Sequence, residues 1–547
     1  MAGPTNNSEL VLAGVLLVAA LALGVATAAD YGISIDEFNA DDYGPKALAW
    51  YTSGFVDRSH FETVEFSLWY YGPWFHMLTA AVQMLDLADR FTIRHVMTFL
   101  VGLGGLAALV PIGRLAAGQW TAPTAIALCL MTGYLHGSLF FTPIDVPFLA
   151  AMTWATLAIL VMTRETLPSW SSTFVAGLAT GLAIATRTGG IITHAYLLGA
   201  LGLCAVGLFA ESGRLSLHYL LQLCARYAAA VGTAWLTAIA LWPWLQIGNP
   251  FKQFVIALRY FETIPMSYEF RHWGERIRTD ALPALYIPEQ LAARLPEAFL
   301  LFLIVALVCG AIALVARTND LAAKARPGGP TFVRALALVV ARNRAMLVVA
   351  AAAVLPIAFL ITQRATIYDG IRHVLFVIPM LAIIAGAGFS MVLPLLRQAA
   401  LLFAIAAALY VGNVVLTLAS LHPFEYVAMN ALAGGTYGAY DRFELDYFAL
   451  AATEALRRLE RRLAHASEVA SAEVAPSIVI CIPWRESAVA PMLRRPWTIE
   501  TDPEKADFII ATERARCAAG PDLALIDEVK RFGRTFAWTY ARGAEFK

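Results

Sequence analysis

The sequence predicts an α-helical polytopic membrane protein of about 11 transmembrane helices, with a small extracytoplasmic α/β domain at its C-terminal end. Of 547 residues, 59% are hydrophobic and 15% are charged, and the mean hydropathy is +0.64. A soluble domain is nearer half apolar and a quarter charged. Repeated apolar runs approach the length of about 20 residues that a membrane span needs.

Eleven apolar runs are candidate spans: 10–29, 91–112, 121–140, 144–163, 170–186, 189–210, 222–245, 297–316, 345–363, 373–393 and 398–420. No Lys or Arg precedes the first run, which is about 20 residues long, so we interpret it as a retained span and not as a signal peptide. We assign residues 1–420 to a transmembrane domain and 421–547 to the α/β domain.

The loop 317–344 fixes the expected orientation because it carries six basic residues and one acid, Asp320. Loops rich in Lys and Arg stay in the cytoplasm. If the spans alternate, 30–90, 246–296 and the tail 421–547 lie outside. The composition, rich in Ala, Leu and Arg, favours a bacterial inner (plasma) membrane. Zero net charge gives no indication of a nucleic-acid partner.

The outer pieces contain further predicted elements. The stretch "FSLWYYGPWFHMLTAAVQML" is shorter than a span and predicts a helix in the membrane interface. In the tail, "YFALAATEALRRLERRLAHA" predicts a helix, and "SIVICI" and "ADFIIAT" predict strands. A helix and a further strand near "TFAWTYAR" complete the domain. Cys481 and Cys517 could pair, which the sequence alone does not decide.

Four carboxylates crowd the stretch "SIDEFNADD" just after the first span: Asp36, Glu37, Asp41 and Asp42. One interpretation is a solvated loop in which Asp41 or Asp42 caps a helix. The other is a general base, because an acid at a low-dielectric boundary can have a raised pKa and accept a proton. Adjacent helical residues point about 100° apart, so Asp36 and Glu37 are expected to have different roles.

The connection "HGSLFFTPIDVPF" contributes Asp145, bracketed by two prolines between two spans. Asp145 either caps the following span or is a second acid on the same outer face. His136 lies just inside the preceding span, where an interhelical contact is the commoner role. Both are additional candidates for the site.

Three basic residues, Arg187, Arg372 and His373, stand on the predicted outer face, against the positive-inside tendency. An arginine in such a position is a functional candidate, and its planar fork suits a phosphate. A lipid-linked phosphate at the bilayer surface would need partners of this kind. The alternative for Arg372 and His373 is anchoring to lipid headgroups.

The segment "HPFEYVAMNALAGGTYGAYDRFELDYFA" follows the last span, and its glycine pair and tyrosines predict a tight, non-helical surface segment. Its charged residues Asp441, Arg442, Glu444 and Asp446 are expected to brace the tail against the membrane part. A rim of acids and aromatics would also suit a sugar.

Taken together, these motifs resemble the polyprenyl-phosphate-dependent glycosyltransferases of the GT-C superfamily, in particular relatives of the protein O-mannosyltransferases and of the aminoarabinose lipid A transferases. The resemblance rests on an ordered series: the "DE" pair of the first outer loop, the Pro-Asp connection after span three, the "IRH" turn before a late span, and the "HPFEYVAMN…GG…RFELDY" segment. It covers most of the chain, although the large inserted lectin-like domain of the eukaryotic mannosyltransferases has no counterpart.

The resemblance implies inverting transfer of a sugar from a polyprenyl-phosphate donor to a lipid, glycan or protein acceptor. Asp36 would be the leading candidate for the base or for positioning the acceptor, and Glu37 the second. Arg187, Arg372 and His373 would hold the donor phosphate. Some relatives use a divalent metal and others do not, so the cofactor stays open.

Two other functions remain open at this point. A lipid or polysaccharide transporter, such as a flippase, would be expected to show charges at mid-membrane and internal repeats, and neither is clear in the sequence. A non-catalytic membrane scaffold that displays the tail would leave Arg187 and Arg372 without a role.

Overall fold

The computed structural model describes residues 7–63, 67–262, 267–324, 332–467, 476–482, 489–515, 517 and 522–543. Nineteen helices in these ranges precede the tail: α1 Ser8–Thr27, α2 Ile35–Thr52, α3 Trp74–Gln83, α4 Arg90–Ala107, α5 Leu109–Ala116, α6 Thr121–Met131, α7 Gly133–Phe141, α8 Asp145–Met162, α9 Trp170–Ile184, α10 Thr193–Ser212, α11 Leu217–Leu241, α12 Pro243–Gln246, α13 Pro250–Glu262, α14 Tyr286–Arg294, α15 Glu297–Lys324, α16 Phe332–Arg342, α17 Arg344–Thr362, α18 Ile378–Leu396 and α19 Ala400–Leu421. The 3₁₀ turns Thr188–Ile192 and Arg372–Val377 lead into α10 and α18.

All eleven predicted spans fall on helices. In the described ranges, eight helical segments are long and apolar enough to cross a membrane, and α6 with α7 forms a ninth that bends by 73°. The difference from eleven has two causes: α9 has only 15 residues, and Arg372–Leu421 counts as one segment of 50 residues although it holds both α18 and α19. The chain is an integral multi-pass membrane protein, as predicted.

The aromatic stretch of the first outer piece forms the expected helix at α3, after a 3₁₀ turn at Leu68–Tyr70. Between them, Gly72 packs against the end of α9. A Cβ on Gly72 would lie 1.4 Å from the carbonyl oxygen of Ala185, so any other residue would force the two segments apart. The Gly72 N–H also donates to the Thr186 carbonyl at 3.3 Å. This contact positions the turn that carries Arg187.

At the end of the bundle expected to be cytoplasmic, arginines cap helix C-termini. Arg334 Nε donates to the carbonyl of Ala210, near the end of α10, at 2.8 Å, and Arg344 donates to the carbonyl of Arg164. Cations are favourable at helix C-termini, where the last carbonyls lack helical partners. The basic loop and Arg164 therefore share one end of the molecule.

The tail contains helices α20 Gly435–Ala439 and α21 Ala451–Ser467, and strands β3 Ser477–Cys481, β4 Thr498–Ile499, β5 Phe508–Thr512, β6 Leu523–Arg531 and β7 Arg534–Arg542. Strands β1 Glu269–His272 and β2 Glu275–Arg278 form a separate hairpin in the second outer piece. The tail sheet has the order β4-β3-β5-β7-β6, with the first three parallel and the last two antiparallel to their neighbours.

The predicted small α/β domain is confirmed, with one correction. In the described residues between β5 and β7, the expected helix is absent: Leu523–Arg531 is a strand that pairs with β7. Its sequence, "LALIDEVKR", lacks strict alternation of apolar and polar residues, and the pairing with β7 is interrupted by two register shifts. Cys481 and Cys517 form a disulfide, with their Cα atoms 5.9 Å apart.

Much of the segment after α19 is buried, apart from exposed positions such as Leu432 and Asp441, which corrects the expectation of a surface segment. Phe443, Leu445 and Tyr447 are each at most 1% exposed and belong to one apolar core that continues from the spans into the sheet. The tail is thus packed on the membrane part.

The charged side chains of this segment bond to other residues of the tail, so their expected bracing against the membrane part stays a prediction. Asp446 accepts hydrogen bonds from the Tyr426 hydroxyl and from the main-chain N–H of Leu450 at 2.9 Å.

Candidate active site

Arg372 lies at the centre of a charged cluster at one end of the bundle. Its guanidinium is ion-paired with Asp36, its Nε lies 3.1 Å from Asp145 Oδ2, and its Nη1 lies 3.5 Å from Asp369 Oδ2. The Asp145 carboxylate also binds Arg187, with 2.7 Å between Arg187 Nη1 and Asp145 Oδ1. We call these five residues the Arg372 cluster.

Helix and span termini bring the cluster together. Asp36 lies in the first turn of α2, Asp145 begins α8, and Arg372 begins the 3₁₀ turn before α18. The N-terminus of a helix stabilises a carboxylate through its unpaired N–H groups. If the spans alternate, all these termini lie on the same face of the membrane.

A capping box fixes the start of α2 and hence the position of Asp36. The Ser34 hydroxyl accepts from Glu37 N–H at 3.2 Å, and Glu37 Oε2 accepts from Ser34 N–H at 3.0 Å. Ser34 Oγ also donates to the Phe141 carbonyl at 2.7 Å, which ties α2 to the end of α7. The N-cap is therefore Ser34, and the expectation of Asp41 or Asp42 as the cap is wrong. The signature Ser-x-x-Glu was present in the sequence.

Glu37 points away from the Arg372 cluster. Its side chain is fully buried, and its Oε1 lies 2.9 Å from His95 Nε2. The other ring nitrogen of His95 contacts the Ala28 carbonyl at 2.8 Å. The structure therefore does not bring Glu37 to the candidate site, because it caps α2 and joins α2 to α4 and to the end of the first span.

The remaining carboxylates of the acidic stretch also have cationic partners. Asp41 lies 2.8 Å from Arg90 and 3.0 Å from Arg94, and Asp42 lies 2.8 Å from Lys46. These pairs join α2 to α4 and stabilise α2 itself. Only Asp36, of the four, reaches the cluster.

The two predicted histidines are placed differently from the arginines. His373 packs edge-on against Tyr368 with ring centroids 4.6 Å apart, and no ion pair or hydrogen bond joins it to another described side chain. His136 lies in α7 with its ring 6.3 Å from that of Phe140. Its buried Nδ1 has no hydrogen-bond partner among the described residues. Neither is bonded into the Arg372 cluster.

Asp369 and the residues that bind it were not predicted from the sequence. Tyr268, from the second outer piece, donates to Asp369 Oδ1 at 2.8 Å. Arg514, from the tail, binds the same oxygen at 2.9 Å and Glu444 Oε1 at 3.2 Å. Two of the outer pieces therefore converge on Asp369, which in turn contacts Arg372.

Asp369 and Gly370 hold the backbone in the left-handed region, with φ of 60° and 70°. Asp and Gly are residues that adopt this region readily. The "YDG" before "IRH" was thus a visible turn signal. Arg514 had no such signal, because only the docking of the tail brings it here.

Burial raises the pKa of Asp36 to about 6. The guanidinium of Arg372 lowers the pKa, and the carboxylates of Asp145 and Asp369 raise it. Burial also raises the pKa of Glu444 and raises the pKa of Tyr71, beside Arg187, to about 12. The cluster thus holds one carboxyl group whose ionisation falls close to neutral pH.

The carboxylates of the cluster do not fit a metal site. Asp36, Asp145 and Asp369 each face a guanidinium, whose positive charge opposes a cation. Among the residues that the structure describes, no group of three or more His, Cys, Asp and Glu side chains is arranged to hold a metal ion. No step below uses a metal.

The sequence matches no protein-family model and no curated protein. Among solved structures, the chain is similar to the Archaeoglobus fulgidus oligosaccharyltransferase in the apo form, with 12% identity over 93% of this chain and 70% of that chain and a TM-score of 0.45. It is also similar to ArnT from Cupriavidus metallidurans bound to undecaprenyl phosphate, with 13% identity over 99% of both chains and a TM-score of 0.42.

A further similar structure is the archaeal oligosaccharyltransferase AglB from Archaeoglobus fulgidus in complex with an inhibitory peptide and a dolichol-phosphate, with 14% identity over 91% of this chain and 65% of that chain and a TM-score of 0.44. These neighbours are GT-C glycosyltransferases, the superfamily that the sequence resembles.

Proposed function

We propose that this chain is a membrane glycosyltransferase that moves a sugar from a polyprenyl-phosphate donor to an acceptor at the extracytoplasmic face. The observation that carries the proposal is the Arg372 cluster: a carboxyl group, Asp36, with a pKa of about 6, is held beside Arg372 and near Arg187 at the ends of spans. This reaction needs a base whose pKa lies near neutral pH, and it needs guanidiniums at the depth of the lipid headgroups.

Asp36 acts as the general base. It accepts the proton of an acceptor hydroxyl or amine as that group attacks the anomeric carbon of the sugar. Proton transfer to a positioned side chain is most efficient when its pKa lies near the working pH. Attack on the face opposite the phosphate forms the new glycosidic bond with inversion.

The bond between the anomeric carbon and the phosphate oxygen breaks with its electron pair on the phosphate. Polyprenyl phosphate then leaves, and no strong general acid is needed because phosphate is a stable anion. Arg187 is the leading partner of that phosphate: its side chain is 17% exposed, and only one of its N–H groups is bonded to Asp145. Fixed guanidiniums stabilise the charge that develops on the leaving group. Arg372 and His373 stand beside this position.

The positive-inside rule supports a reaction outside the cytoplasm. The basic loop and the Arg372 cluster lie at opposite ends of alternating spans, and basic loops remain in the cytoplasm. The bacterial inner (plasma) membrane is the compartment that we propose. The acceptor is a lipid, glycan or protein.

The test uses purified protein in detergent with a panel of radiolabelled polyprenyl-phosphate sugars. Release of polyprenyl phosphate, either by transfer or by slow hydrolysis of the donor in which water takes the sugar, is measured for the wild type, Asp36→Asn and Arg372→Ala. We expect turnover of one donor by the wild type and a loss of about 10²–10⁴-fold in Asp36→Asn, with a large loss in Arg372→Ala.

Asp42→Asn is the matched control. It changes a carboxylate on the same helix that pairs with Lys46 and lies outside the cluster. Full activity of folded Asp36→Asn would remove Asp36 as the base. Absence of binding and turnover across the whole panel would instead favour a transporter or a scaffold.

A further inference from the structure

A second charged site lies where the outer end of the first span meets the tail. A cavity of about 520 Å³ is lined there by Asp30, His422 and the arginines Arg457, Arg461 and Arg494, with Glu454, Glu460 and Arg531 on its walls. We call it the arginine cavity. None of its lining residues belongs to the Arg372 cluster.

The acids of the arginine cavity are already engaged. Asp30 lies 3.1 Å from His422 Nε2. Glu454 Oε2 lies 2.7 Å from Arg531. Glu460 accepts a main-chain N–H at 3.0 Å and an indole N–H at 3.1 Å. These carboxylates therefore have little capacity left for further cations.

Three guanidiniums on the same cavity have no carboxylate partner within the described residues. Arg457 donates to the main-chain carbonyls of Asp30 at 3.0 Å and Tyr31 at 3.3 Å. Arg461 and Arg494 are exposed, and neither side chain makes an ion pair or hydrogen bond to a described residue. Burial and, after it, the nearby charge of Arg494 lower the pKa of Arg457. Like charges thus converge on one concave surface that an anion would neutralise.

The cavity lies at the depth of lipid headgroups. Asp30 ends the apolar segment Ser8–Asp30, and His422 directly follows the apolar segment that ends at Leu421. Arginine forks match phosphate oxygens in geometry and charge. Basic clusters at the edge of a span attract anionic headgroups.

We propose that the arginine cavity binds the phosphate group of an anionic membrane lipid. The site is independent of the transfer reaction proposed above, so it can be tested by binding alone. A free phosphate ion offers the same chemistry without an acyl chain, and the probes must separate the two sources.

The experiment measures calorimetric binding to the full chain in neutral detergent with three probes: dioctanoyl phosphatidic acid, dioctanoyl phosphatidylcholine and inorganic phosphate. The variant Arg461→Gln/Arg494→Gln removes the two exposed guanidiniums. Its control, Arg276→Gln/Arg462→Gln, removes the same charge elsewhere. Arg276 has a 76% exposed side chain 3.8 Å from Glu269, and Arg462 donates to the Ile526 carbonyl outside the cavity.

We expect the wild type and the control to bind phosphatidic acid alike, the cavity variant to bind it roughly 30-fold more weakly, and phosphatidylcholine to bind least. Equal affinity of the cavity variant and the wild type would overturn the proposal. An equal loss in the control would overturn it too, because general surface charge would then account for binding. Inorganic phosphate that binds as tightly as phosphatidic acid and displaces it would assign the cavity to a soluble anion and overturn the lipid.

Discussion

The Arg372 cluster and the arginine cavity are both built from arginines near the ends of spans or on the tail packed against them, yet the two sets of arginines have different partners. In the cluster, Arg372 faces three carboxylates and Arg187 shares one of them. In the cavity, Arg457, Arg461 and Arg494 form no ion pair with a carboxylate of the described residues, because Asp30, Glu454 and Glu460 are bonded to other groups. Paired charges of opposite sign fix the geometry of the cluster and shift the pKa of Asp36, whereas guanidiniums without an ion-pair partner need an anionic ligand to neutralise them.

Removing the shared carboxylate should have the largest effect. Asp145→Asn leaves Arg187 and Arg372 without the acid that joins them, and its side chain is 2% exposed. Breaking a buried ion pair leaves uncompensated charge and costs about 3–5 kcal/mol. We expect a clear fall in the midpoint of thermal unfolding and a loss of transfer of at least about 10²-fold.

The control for Asp145→Asn is Asp441→Asn, which breaks the pair with Arg534 at 3.2 Å where the Asp441 side chain is 65% exposed. Exposed pairs contribute little, so its unfolding midpoint should stay close to that of the wild type. Equal midpoints for the two variants would show that the cluster is not held by charge balance.

The pH dependence of transfer tests the raised pKa of Asp36. Asp36 has a pKa of about 6, above its ordinary 3.8. Because the base must be ionised, the rate should fall about tenfold for each pH unit below 6 and level off above it. The raised pKa also means that ionisation of Asp36 costs stability, a cost that is absent below about pH 4 and complete above about pH 6. An acid limb centred near pH 4 would contradict this environment for Asp36.

Cutting the link to the tail should have a moderate effect. Arg514→Gln removes the ion pairs with Asp369 and Glu444. The negative charge of Asp369 raises the pKa of Asp36. Without the positive charge of Arg514 beside it, Asp369 should raise the pKa of Asp36 further. We expect transfer about 10-fold slower at pH 6 and an acid limb displaced to higher pH. Arg534→Gln, in the same domain, should leave the limb in place, and an unmoved limb in Arg514→Gln would limit Arg514 to a structural role.

The smallest effect on the reaction should come from the residue next to the base. Glu37→Gln keeps the capping geometry, since Gln serves at this position of a capping box, but it loses the ion pair with His95. We expect transfer per folded molecule to stay within about twofold, with a lower unfolding midpoint. A loss as large as that of Asp36→Asn would place both acids in the reaction.

Much of the fold was predictable because membrane spans are specified by local composition. Each of the eleven apolar runs became helical, including the weak one at Trp170–Ile184. Alternating spans put every second loop on one face of the membrane. The sequence could therefore predict a shared face for four residues: Asp36, Asp145, Arg187 and Arg372. The different roles of Asp36 and Glu37 followed from helix periodicity.

The rest depended on contacts between distant parts of the chain. Asp369 is bound by Tyr268 and Arg514, which are 101 and 145 residues away in the sequence. No local sequence pattern predicts contacts at such separations. The expected helix before β7 failed because pairing with β7 decides the conformation of Leu523–Arg531.

The bond between Arg514 and Asp369 also has a consequence for biosynthesis. The two residues are 145 positions apart, and a ribosome adds roughly 5–20 residues per second. The segments that carry Asp36, Asp145 and Arg372 are therefore made several seconds before Arg514 can dock. Through that interval a nascent chain in the membrane would lack the partner of Asp369 from the tail, and under the proposed function the site would be completed only once the tail has docked.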